Sequence, residues 1–91
     1  MDLSEVLKNI DILRLFKEEL LSTLSTSEME RRLSLSHHPT FRRLKMLEAN
    51  NVIVKTGGGY VLNLKDDSVQ EIMRFLSNIE KIEKDGKKSN R

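Results

Sequence analysis

Apolar residues recur at helical spacing from the start of the chain. Between Asp2 and about Ser22, the residues Leu3, Val6, Leu7, Ile10, Leu13 and Lys17 fall near one stripe of a helix, and Ile12, Leu15 and Phe16 fall on another. Asp2, with Glu5 three residues on, forms a capping box that starts this helix. A helix apolar on two sides is expected between two layers, its own core and a partner surface. Leu24 ends a short connector, and a second capping box, Ser25 to Glu28, starts the next helix with Met29 and Leu33 facing inward. Ser34-Leu35-Ser36 breaks that pattern; Leu35 is expected to plug the core, and Ser36 to cap a third helix.

The third helix is predicted from about His37 to Ala49, with Pro39 in the first turn, where a missing N–H costs little. At steps of about 100° per residue, Thr40, Leu44 and Leu47 share one face, bordered by Phe41 and Glu48. The opposite face holds His38, Arg42, Lys45, Met46 and Ala49, flanked by Pro39 and Arg43. Asn50-Asn51 ends the helix, because Asn tolerates a left-handed backbone. Val52 to Thr56 and Tyr60 to Leu64 read as two strands joined by Gly57-Gly58-Gly59, with Val52, Val54, Tyr60, Leu62 and Leu64 alternating. The glycines suit a hairpin turn of positive φ. Asp66-Asp67-Ser68 caps a last helix reaching about Lys84, in which Val69, Ile72, Leu76, Ile79 and Glu83 form a heptad seam widened by Met73, Phe75 and Ile82. A polar, basic and disordered tail is expected over residues 85–91.

Helix, tight turn, helix and glycine-tipped hairpin, in that order, predict a mainly α domain with a small β-hairpin (α+β), a winged helix-turn-helix over residues 1–84. Its terminal helices carry more apolar surface than one chain needs. A two-fold dimer built from Leu3, Val6, Leu7, Ile10, Val69, Ile72, Met73, Leu76 and Ile79 would bury the surplus.

Composition narrows the function. At 91 residues the chain makes one small domain, and 33% of it is charged. The net charge of +2 is too mild to imply nucleic acid by itself, so the placement of the charges decides. Arg31, Arg32, Arg42, Arg43 and Lys45 lie in a stretch, residues 31–45, without Asp or Glu. The absence of Cys rules out disulfides, thiolate nucleophiles and cysteine metal sites. No apolar run approaches a membrane span, and the MDLSEV start lacks a signal-peptide pattern, so the expectation is a cytoplasmic protein without a membrane partner.

A cationic helix face is ordinarily just a solvated one. Here the helix-turn-helix before it and the hairpin after it favour a reading head for double-stranded DNA. His38 and Arg42 sit one turn apart on the outer face, where Arg42 is suited to a guanine edge and Arg43 and Lys45 to phosphates. Lys55 is the charged residue near the hairpin tip, and Ser27 and Ser36 complete the candidate contacts. His37 and His38 diverge by about 100° on a helix and cannot grip one metal from one face, so no metal or other cofactor is expected. Gly57-Gly58-Gly59 is not a phosphate loop, since no Gly-Lys-Ser/Thr follows. Asp66 and Asp67 read as helix caps rather than an acid–base pair. Nothing assembles a nucleophile, a base and an oxyanion site, so no enzyme is expected.

Residues 24–64 resemble the ArsR-type winged-helix repressors. Ser27-Glu28-Met29 stands for the family's helix start and Leu35-Ser36 for the step before its recognition helix. Arg43-Leu44-Lys45-Met46-Leu47 stands for its helix core and Asn51-Val52-Ile53 for its strand start. The resemblance implies a homodimer that binds a palindromic operator, with DNA contacts at His37, His38, Pro39, Thr40, Arg42 and Arg43. The family's metal-sensing cysteines have no counterpart, the last helix has no His, and Phe41 stands where the family has a small polar residue. A transcriptional regulator is the leading expectation, and a winged-helix adaptor for other proteins is the alternative.

Overall fold

The computed structural model describes the backbone over residues 1–89 and the side chains through residue 84. Five helices and one hairpin follow in order: α1 Leu3–Leu7, α2 Ile10–Glu18, α3 Thr26–Leu33, α4 His37–Ala49, β1 Ile53–Thr56, β2 Gly59–Leu62 and α5 Asp67–Ser89. The domain is mainly helical with a two-stranded antiparallel sheet. No described helix is long and apolar enough to cross a membrane.

Local signals operate as expected at the helix starts. Asp2 accepts from the Glu5 amide, Ser25 from the Glu28 amide at 3.1 Å, and Asp66 from the Ser68 and Val69 amides at 2.8 and 3.3 Å. Each cap satisfies a donor that a helix start leaves open. α3 ends on Ser34 in the left-handed region (φ 54), which turns the chain sharply into α4. Ser36 caps α4 by backbone geometry alone, without a side-chain hydrogen bond.

The expected single N-terminal helix is instead two. Asn9 interrupts it: its amide donates to the Glu5 carbonyl at 3.0 Å, and its carbonyl accepts from Arg43 Nε at 2.6 Å. Asn9 is buried, so a polar side chain with both ends bonded takes precedence over helix continuity. The break lets Ile12, Leu13, Leu15 and Phe16 all enter one core with Val6, Met29, Leu44, Leu47, Val69 and Leu76. No second apolar layer is left on α2. Leu35 is only half-buried and lies outside this cluster, while Leu33 packs against it.

α5 runs back along α2, joined by Lys17–Glu80 at 3.1 Å and Arg14–Glu83 at 2.9 Å. Val69, Ile72, Met73 and Leu76 are thereby buried within the chain, as is Val6. These five of the nine expected dimer residues are core residues instead. A heptad seam cannot distinguish a neighbouring helix of the same chain from one of another. Leu7, Ile10 and Ile79 are half-buried, and Leu3 is exposed. The last helix also reaches Ser89, beyond the expected end at Lys84. The expected disordered tail is therefore helical in its backbone over 85–89, and residues 90–91 lie outside the described residues.

The hairpin departs from its expected phase. Val52 and Ile53 are both buried, whereas Val54 is 45% exposed. Asn51 takes the left-handed backbone (φ 62) and the Val52 amide bonds to the Leu47 carbonyl at 3.0 Å, so Val52 belongs to the end of α4 and Ile53 is the buried residue of β1. Ile53 faces Leu62, and Thr56 faces Gly59 across a Gly57-Gly58 turn. Of these glycines only Gly59 has positive φ (147), and the reason lies outside the turn. Leu24 and Tyr60 exchange backbone hydrogen bonds of 2.9 and 2.8 Å, which stitches the connector before α3 to β2. A Cβ on Gly59 would stand 2.3 Å from the Leu24 carbonyl oxygen.

Gly59→Ala is therefore expected to cost about 1–3 kcal/mol of stability by overpacking against backbone. Gly57→Ala, which meets open space, is expected to change it by less than about 0.5 kcal/mol. Urea unfolding of the two variants checks this; equal effects would contradict the Leu24–Tyr60 stitch.

Candidate nucleic-acid interface

The roll of α4 about its own axis sets which residues it presents. Thr40, Leu44 and Leu47 are fully buried. Burying each leucine is worth roughly 1.5–3 kcal/mol, so this face is strongly held inward. Thr40 adds a hydrogen bond from its hydroxyl to the Ser36 carbonyl at 2.7 Å. Thr40 was expected among the DNA contacts by resemblance; its burial removes it from them and makes it an anchor.

The outward face carries His37, His38, Phe41, Arg42 and Lys45, all exposed, with Pro39 exposed in the first turn. Ser27 and Ser36 are exposed at the starts of α3 and α4, and Lys55 is exposed on β1. His37 Nδ1 lies 2.9 Å from Glu30 Oε2, and Lys45 Nζ lies 3.4 Å from Glu48 Oε1. Arg31 pairs with Glu28, and Arg32 with Glu18 and Glu19, so both spend charge on neighbouring carboxylates. Arg42 differs. Among the described residues it is the one arginine with no carboxylate within 4.0 Å.

Arg43 does not share this face. Its guanidinium turns back to Asn9 and to Asp11 at the start of α2, leaving the side chain 26% exposed. Met46, expected outward, is half-buried against the core. The N-terminal segment lies over this flank of α4, and the Asp2 amide bonds to the Asn50 side chain at 2.9 Å. Arg43 is thus a tie between α4 and the N-terminal helices rather than a phosphate contact. The cationic face is narrower than the helical wheel implied.

Phe41 is the residue that the pattern undervalued. Its ring is 43% exposed, stacks on His37 at 6.2 Å between centroids, and carries Lys45 Nζ 5.3 Å from its own centroid. The signal was present in the sequence as His37, Phe41 and Lys45 at i, i+4 and i+8, one row along a helix. No group of three or more His, Asp or Glu suited to a metal ion occurs among the described residues.

Separating the two neighbouring arginines gives a direct check. Arg43→Ala is expected to lower the unfolding free energy by about 1.5–3 kcal/mol, the usual range for hydrogen bonds of a charged group. Arg42→Ala is expected to shift it by less than about 0.5 kcal/mol. Denaturant melts that ranked them the other way would contradict these placements. Comparison of the chain with family models, with curated proteins and with solved structures finds no match.

Proposed function

We propose that the chain is a sequence-specific double-stranded DNA-binding transcriptional regulator of the winged helix-turn-helix type, acting as a homodimer. In this reading α3 and α4 are the helix-turn-helix, α4 enters the major groove, and the β1–β2 hairpin is the wing. The observation that carries it is Arg42, outward on the N-terminal half of α4 and without a carboxylate partner among the described residues. An arginine so placed is free to address the O6 and N7 acceptors of guanine with two parallel hydrogen bonds. Lys45 and Lys55 serve neighbouring phosphates, which set position rather than sequence. His37, His38 and Pro39 lie in the first turn, the part of a reading helix that comes nearest the bases. The resemblance of residues 24–64 to ArsR-type repressors supports the same assignment. Asp66 caps the start of α5, accepting from the Ser68 and Val69 amides.

The dimer contact falls on what the fold leaves uncovered. Met1, Leu3, Leu7 and Phe75, with the buried Ile72, line an open apolar groove between α1 and the first half of α5. Phe75 is 48% exposed there. In this reading two such surfaces meet about a two-fold axis, and the two α4 helices address half-sites about one turn of DNA apart.

Two measurements test the reading. Binding to duplex DNA is expected to weaken by about ten- to a hundredfold between about 50 and 200 mM salt, as release of counterions from a few phosphates requires. Arg42→Ala is expected to cost about a further 1–3 kcal/mol on the preferred sequence. A flat salt response would favour the protein-adaptor alternative. In light scattering, Phe75→Glu is expected to yield folded single chains, whereas Leu76→Glu, at a fully buried position, is expected to unfold the protein. A folded Phe75→Glu dimer would contradict the groove contact.

A further inference from the structure

Isolated apolar residues on a protein surface are common and need no explanation. Phe41 is not isolated in that sense. It is exposed at the edge of the outward face of α4, between His37 one turn before it and Lys45 one turn after it, with Arg42 adjacent in sequence. The His37 ring stacks on one side and the Lys45 ammonium lies over the ring, so the side chain is braced by neighbours that themselves point outward. The core does not use it: Thr40, Leu44 and Leu47 fill the inward face without Phe41. An exposed apolar ring with a lysine over it and an arginine beside it suits a surface that is polyanionic around its rim and apolar at one point. The major groove offers one apolar group of that kind, the C5-methyl of a pyrimidine, which thymine always carries and methylated cytosine shares.

We infer that Phe41 is a base-reading residue, its ring seated against the C5-methyl group of a pyrimidine in the major groove, beside the guanine edge addressed by Arg42. The inference rests on the DNA-binding reading above and names what that face selects. His37 and Lys45 hold the ring for the contact, and the methyl group loses water against it without any hydrogen bond being made or broken.

The test begins with selection of bound duplexes from random DNA by the whole protein. The selected duplex is then remade with deoxyuridine in place of thymine, one position at a time, which removes the methyl and nothing else. One position in each half-site is expected to lose about fourfold in affinity, the worth of one buried methyl group. With Phe41→Ala the same replacement is expected to have no effect, which isolates the ring–methyl pair from general loss of binding. Restoring the methyl on cytosine at that position distinguishes the two sources: recovery with 5-methylcytosine shows that the methyl alone is read, and no recovery shows that thymine is read as a whole base. Either result supports a methyl contact once the uridine effect depends on Phe41. Equal sensitivity to uridine in the two proteins, or none at any position, overturns this inference while leaving the DNA-binding reading intact. Recovery of no duplex at all overturns both.

Discussion

Burial of one face of α4 fixes everything that its other face can do. Thr40, Leu44 and Leu47 have no exposed surface, and each sits about one turn from the next. Rotating the helix to present a different set of side chains would lift two leucines into water, a change of several kcal/mol in a domain whose whole stability is about 5–15 kcal/mol. His38, Phe41, Arg42 and Lys45 are therefore held outward by the burial of the opposite face. The cations on that face are surface groups in the plain sense, yet the side of the helix from which they project is set by the core.

A second constraint comes from the N-terminal segment. Asn9 is buried with its amide on Glu5 and its carbonyl on Arg43, and Asp11 takes the other end of the same guanidinium. That junction ties α4 to the helices before it and breaks what would otherwise be one long helix. It also divides two adjacent arginines: Arg43 is paired within the fold, and Arg42 has no carboxylate partner among the described residues. The Leu24–Tyr60 exchange does comparable work on the other side, where it holds the hairpin against the connector leading into α3. Between them, these two ties set the hairpin and the outward face of α4 on one framework.

Features with local causes were legible in the sequence. The caps at Asp2, Ser25 and Asp66 depend on residues within three positions, and each forms. α4 runs over the expected residues, His37–Ala49, and its inward trio is the expected one, because both follow from helical periodicity. Features with distant causes were hidden. The break at Asn9 depends on an arginine 34 residues away. The need for glycine at position 59 comes from the Leu24 carbonyl rather than from the turn. The strand phase shifted because a single left-handed residue, Asn51, was followed by a valine that still belongs to the helix end. The seam on α5 pointed to burial correctly and to its partner incorrectly, since Val69, Ile72, Met73 and Leu76 pack within the chain. Of the candidate DNA contacts, Thr40 and Arg43 turn inward for the same kind of reason. Their side chains are polar, but the groups that satisfy them lie within the fold.

The central claim is that the outward face of α4 is the surface that meets DNA. Amide chemical-shift mapping on the isotope-labelled protein, titrated with a short duplex, tests it most directly. The account predicts that the shifted signals concentrate at His37, His38, Phe41, Arg42 and Lys45, with a smaller set around Lys55. Shifts centred instead on Leu3, Leu7 and Phe75, with the α4 signals unmoved at saturating duplex, would contradict it.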